Sequence, residues 1–153
     1  MPERVVISDA STVIGLLNIG NLALLQALYS RVEITSVVSQ EIGESLPTWF
    51  VINDDYSKDT YQSMVPILDK GEASAIALAL NYANSLLIID ERKGRRQAMQ
   101  LGLQVTGLVG IIVRAKKEGV IPSGKHILDK LMQTGFRLSS RIFQNALQAM
   151  DEV

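Results

Sequence analysis

The chain has 153 residues, 47% apolar and 20% charged, with a net charge of −1 and no cysteine. That length suits one domain with a full hydrophobic core, and the composition excludes a disordered chain. The balanced charge excludes a global field that gathers nucleic acid, and the missing thiols exclude disulfides, cysteine nucleophiles and cysteine-held metal clusters. The opening run "MPERVVISDA" is charged and lacks an apolar centre, so no secretory signal is expected. The longest apolar stretches, such as "ASAIALAL", fall well short of the roughly 20 residues that cross a membrane. A cytoplasmic protein without a membrane partner is the expectation.

Taken in chain order, Arg4 to Ser8 is short, apolar and β-branched, and predicts a buried strand. "STVIGLL" follows as a helix that Ser11 is placed to cap. "LALLQALY" predicts a second helix, "VEIT" a strand, and Ser36 opens a helix with Val37, Val38, Glu41 and Ile42 on one face. "FVI" predicts a strand, and "SKDTYQSMV" a helix that Pro66 ends or kinks. Gly71 precedes the strongly helical "EASAIALALNYA". "SLLII" is continuously apolar, as a strand buried on both faces should be. "RRQAMQLG" is a helix closed by Gly102, "LQVTG" a strand, and "LVGIIVRAKKEG" a helix ending at Gly119. "GKHILDKLMQTG" and "SSRIFQNALQAM" predict two closing amphipathic helices. Strands alternate with helices, so the expected fold is α/β: one domain over residues 1–153, a mostly parallel central sheet with helices on both faces, and a helical extension from about residue 120.

Open α/β sheets bind ligands beyond the carboxyl ends of their strands. Asp9 follows "VVIS" and Asp90 follows "LLII". Each alone is an ordinary helix cap. Glu41 and Glu72 change the weighing, because both continue apolar helix faces where a carboxylate is out of place. A helix start favours Glu72 through the macrodipole, and a rim position reaching solvent is the plain alternative for Glu41. If the four acids meet at one sheet edge, they cannot all stay ionised unaided. A divalent cation resolves the repulsion, and all-oxygen ligands suit Mg²⁺ or Mn²⁺ rather than zinc. Such an ion activates water and steadies charge on a phosphate, so no protein nucleophile is needed.

Arg92, Lys93, Arg95 and Arg96 come next, at the start of a helix where cations oppose the macrodipole. A solvated surface is one reading of that run. The other is a phosphate path beside the carboxylates, for which Arg114, Lys116 and Lys117 are further candidates. His126, the only histidine, sits on an amphipathic helix as a surface residue. Phosphate-loop, dinucleotide and nucleophile-elbow motifs are absent, and "GLVG" (Gly107 to Gly110) is a turn entering a helix. A phosphatase of the haloacid-dehalogenase type also begins with an Asp after its first strand, but it wants a second Asp where Ser11 stands.

The stretches "VVISDASTVI", "SVVSQEIGE", "GEASAIALA" and "LLIIDERKGRRQA" resemble, in order and spacing, the PIN-domain family of metal-dependent ribonucleases. "LGLQVTGLVG", "AKKEGVI" and the closing helices resemble an uncharacterised PIN-like subfamily, and the likeness runs over nearly the whole chain. The resemblance implies endonucleolytic cleavage of single-stranded or structured RNA with Mg²⁺ or Mn²⁺. It makes Asp9 a direct metal ligand, completed by Glu72 and Asp90, with Glu41 orienting metal or water and Ser11 supporting Asp9. Glu91 is the alternative to Asp90, which is preferred because it directly ends the strand. Arg92, Lys93, Arg95 and Arg96 would hold RNA. Many relatives are VapC-like toxins restrained by a small antitoxin, and PIN domains commonly form homodimers. Glu72 stands where many members carry Asp, and the extra methylene shifts the carboxylate by about an ångström, which matters for an ion as geometrically strict as Mg²⁺. A PIN-like module that binds RNA or protein without cleaving is the rival expectation.

Overall fold

The computed structural model describes residues 4–153. Its sheet has five strands: β1 (Val5–Ser8), β2 (Val32–Ile34), β3 (Phe50–Ile52), β4 (Ser85–Ile88) and β5 (Gln104–Thr106). All neighbours are parallel, in the spatial order β3-β2-β1-β4-β5. The helices are α1 (Ala10–Asn18), α2 (Ala23–Tyr29), α3 (Ser36–Ile42), α4 (Lys58–Met64), α5 (Lys70–Leu80), α6 (Arg92–Gln100), α7 (Leu108–Lys117), α8 (Gly124–Gln133) and α9 (Ser140–Ala149).

Period-two alternation divides the strands between two cores. Val6, Leu86 and Ile88 point to one face and Ile7, Leu87 and Ile89 to the other. The first face packs against α1, α3, α7, α8 and α9, the second against α4, α5 and α6. Ile7, Leu87 and Ile76 are fully buried, so truncating one to alanine costs about 2–5 kcal/mol. The closing helices share the first core through Ile127, Leu128, Leu131, Ala146 and Leu147. Glu152 then returns to the start of α8, accepting from the Gly124 amide at 2.8 Å and the Ser123 hydroxyl at 2.8 Å. Burial raises the pKa of this carboxyl, but hydrogen bonds from Gly124, Ser123 and Lys125 outweigh that and hold it at about 2.

The chain winds outward from β1 to β3, then crosses back to lay β4 on the other side of β1. The switch point lies between β1 and β4, where a crevice opens beyond their carboxyl ends. Register sets Ser8 beside Ile88 and so brings the segments carrying Asp9 and Asp90 together.

Two local expectations are corrected. Asp9, not Ser11, caps α1, accepting from the Thr12 amide at 3.1 Å, because its side chain reaches the third helical amide while Ser11 already lies inside the first turn. Gly71 does not precede α5 but sits in its first turn, because Asp69 takes the capping position and accepts from the Glu72 amide at 2.8 Å.

Candidate metal centre

Beyond the switch point lies a cavity of about 180 Å³ lined by Asp9, Ser11, Glu41, Asp69, Glu72 and Glu91. Asp9 and Glu72 are buried and form its floor, while Glu41, Asp69 and Glu91 are exposed at its rim. Three of the four acids singled out from the sequence therefore share one space, with Ser11 and Glu91 beside them. Asp69 joins them unanticipated. Its D-x-G-E spacing to Glu72 reads in sequence as a helix cap and nothing more.

Asp9 is held by three donors. One oxygen accepts from the Thr12 amide, the other from the Ser11 hydroxyl at 3.1 Å and the Asp90 amide at 2.9 Å. Burial raises its pKa and these hydrogen bonds pull against it. Glu41 sits at the end of α3, with burial first and the charges of Asp69 and Asp9 next raising its pKa. The Gly71 amide donates to it. A Cβ at Gly71 would lie 2.5 Å from each Glu41 oxygen, so glycine is what allows the contact.

Glu72 is the outlier. Its Oε1 is buried without a hydrogen-bond partner. Burial, then the neighbouring Asp69 and Glu91 carboxyls, push its pKa up to about 9. Gly94 of α6 comes so close that a Cβ there would meet Glu72 Oε2 at 3.0 Å. Two glycines thus clear space around two carboxylates.

Asp90 does not line this cavity. Its amide holds Asp9, and its Oδ1 accepts from the Leu108 amide at 3.2 Å, capping α7. Its carboxylate and the Arg95 guanidinium pack against Gly107, where a Cβ would meet them at 3.1 and 3.2 Å. Adjacent acids face different ways: Glu91 turns toward the carboxylates and Asp90 toward α7. Arg92, Arg95 and Arg96 line a neighbouring cavity that also reaches Asp90, while Lys93 is exposed on α6. Arg114 lies elsewhere. It pairs with Glu118, stacks over Tyr29, and lines a cavity with Arg4 and Arg31 at the amino ends of the strands. Lys116 is engaged by Glu152 and the Pro122 carbonyl. His126 is exposed, as expected.

The donor set is wholly oxygen, one floor oxygen lacks a partner, and glycines hold the walls open. These features fit a hard divalent cation such as Mg²⁺ or Mn²⁺. Among the described residues, no three of these side chains already stand at ligand spacing.

A PIN-domain family model matches residues 5–152. The chain belongs to the PIN-domain family. No curated protein matches it. PIN domains are generally nucleases and typically use divalent metals, and membership explains the parallel sheet with acids at the switch point. None of the described helices is long and apolar enough to cross a membrane.

Proposed function

We propose that this PIN domain is a metal-dependent endoribonuclease whose ion is held by Asp9, Glu41, Glu72 and Glu91, with Asp69 adding charge at the rim. The observation that carries the reading is the partnerless Glu72 oxygen at the floor of a five-carboxylate cavity. Such a group costs free energy unless a cation joins it. When bound, Mg²⁺ or Mn²⁺ would supply charge neutralisation and lower the pKa of water at the site. Asp9 is fixed in place before any ligand arrives, since Ser11, Thr12 and the Asp90 amide hold both its oxygens. Glu41, at the solvent-facing rim, is positioned to take a proton from the attacking water. Asp90 supports the centre from behind, tying the Asp9 oxygen to the start of α7. Arg92, Lys93, Arg95 and Arg96 receive the flanking phosphates. On this reading the protein acts in the cytoplasm, where RNA is made and turned over. The resemblance extends the reading to a homodimer and to a toxin restrained by a small antitoxin.

The test is cleavage of a mixed RNA panel with Mn²⁺, Mg²⁺ or EDTA. Metal-dependent cleavage that Asp9→Asn abolishes is the expected result. Glu91→Gln should cost more activity than Asp90→Asn if Glu91 is the ligand, and the opposite order restores Asp90 to that role. Folded protein that cleaves nothing with either metal sinks the nuclease reading. The rival, a PIN module that binds RNA without turnover, is favoured by the absence of three acids already at ligand spacing among the described residues. It predicts RNA affinity indifferent to chelator.

A further inference from the structure

Two cavities adjoin the carboxylates on the side of α6. One, of about 700 Å³, is lined by Arg92, Arg96, Met99 and Gln100 of α6 and by Ile142 of α9. The other, of about 440 Å³, runs from Gly107 and Val109 to Phe136, Arg137 and Leu138 in the turn between α8 and α9. Both share Asp90, Arg95 and Ile142, so they form one groove leading away from the switch point. Its near wall is α6. Its far wall comes from Ile142 of α9 and the α8–α9 turn, and β5 with the start of α7 closes the end between them.

Outside the groove, Arg31, Arg114, Lys116 and Lys125 have acidic partners, while other cations among the described residues, such as Lys58, Lys70 and Lys117, make no ion pair and line neither cavity. Among the described residues, Arg92, Arg95, Arg96 and Arg137 make no ion pair, and all four line this groove. Between them lie two large apolar side chains left in solvent, Met99 at 60% exposure and Ile142 at 47%. Unpaired guanidiniums flanking an apolar floor complement a chain of phosphates that carries flat, unstacked bases. A duplex hides its base faces and leaves such a floor unused.

We infer that the closing helices build the far wall of a binding groove for single-stranded RNA, in which Arg137 contacts a phosphate and Met99 and Ile142 receive a base. This rests on RNA being the ligand of the proposed nuclease and extends its substrate path to the α8–α9 turn. Arg137 and Ile142 are then positioning and specificity residues supplied by an addition to the minimal sheet.

Binding in EDTA separates the groove from the chemistry. The affinity of a labelled single-stranded RNA oligonucleotide is read by fluorescence anisotropy between about 50 and 200 mM salt. Arg137→Gln should flatten the slope of log affinity against log salt by about 0.7, the loss of one single-strand phosphate contact. Met99→Ala should weaken binding about fivefold to tenfold with the slope unchanged. Lys125→Gln, another exposed cation but outside the groove, should change neither. The duplex of the same sequence should compete poorly. If both groove variants bind like wild type, or the duplex binds as tightly, the inference fails and the groove is left to a peptide partner. Wild-type protein that binds no single strand overturns it as well. If cleavage is absent but Arg137→Gln loses RNA affinity, the groove stands and the nuclease reading falls. If Asp9-dependent cleavage is present but both groove variants keep wild-type affinity, the reverse holds.

Discussion

Two buried glutamates on the same side of the sheet make an instructive pair. Glu33, in the middle of β2, and Glu72, in the first turn of α5, are buried almost equally, at 4% and 6% exposure. Glu33 is surrounded by donors. Tyr82 Oη donates to it at 2.8 Å, the Asn53 amide at 2.9 Å and Arg31 at 3.3 Å. Glu72 is surrounded by acids, and one of its oxygens has no partner. The first arrangement is closed and needs nothing further. The second holds a deficit of positive charge. Burial alone therefore does not mark a functional carboxylate; burial without a donor does.

Substituting each glutamate in turn is the sharpest way to break this contrast. Glu72→Gln should reduce metal-dependent cleavage on the order of a hundredfold or more while leaving the metal-free melting temperature equal or higher, because folding no longer has to place a proton on a buried carboxyl. Cleavage retained by that variant ends the comparison. Glu33→Ala should behave oppositely. It removes the acceptor shared by the Tyr82 hydroxyl and the Asn53 amide and should cost about 1–3 kcal/mol in urea denaturation, with cleavage per folded molecule preserved. Gly71→Ala tests the wall of the acidic cavity. The new methyl group displaces Glu41, so Mn²⁺ affinity by calorimetry should fall roughly tenfold. Stability should rise or hold, since alanine favours a helix over glycine by about 0.5–1 kcal/mol. A weaker fold with intact Mn²⁺ affinity would contradict the geometry.

The smallest effect is a difference in pH response between two ends of the molecule. The folded state of the metal-free protein holds a proton on Glu72 up to about pH 9, whereas the unfolded chain releases it near 4.5. Stability should fall as pH rises through that window, and Glu72→Gln should flatten this alkaline arm. Added Mn²⁺ should stabilise more at the alkaline end, where no proton competes. Glu152 has the opposite sign. Its pKa drops to about 2 on folding, so its contribution is present above about 4.5 and lost as pH falls toward 2. Glu152→Gln should flatten only the acid arm of a plot of melting temperature against pH.

Much of this was legible in the sequence. The α/β alternation and the five strands were readable because β1, β3 and β4 are compact apolar runs, and β2 and β5 are short β-branched segments followed by a polar residue or a glycine. Asp9 was readable from its position after a strand, and Glu72 from its conflict with an apolar helix face. The direction of a side chain was not. Asp90 and Glu91 are neighbours with similar chemistry, and only the fold turns one toward α7 and the other toward the acids. Glu33 was hidden in a strand too short to show alternation. Gly71 and Gly94 looked like ordinary helix residues, because the carboxylates that need their missing Cβ atoms arrive from elsewhere in the chain. The far wall of the groove was unreadable for the same reason, since it depends on α9 packing beside α6.

The winding order of the sheet also has a consequence for synthesis. β1 is the first strand made, yet its neighbour across the switch point, β4, begins only at Ser85. A growing chain therefore carries Asp9, Glu41 and Glu72 as separate solvated acids until Glu91 has cleared the ribosome and β4 has slotted into place. On the proposed reading the centre can assemble only after Glu91 has emerged, and a chain abandoned before that point lacks the joined carboxylates that would hold a metal.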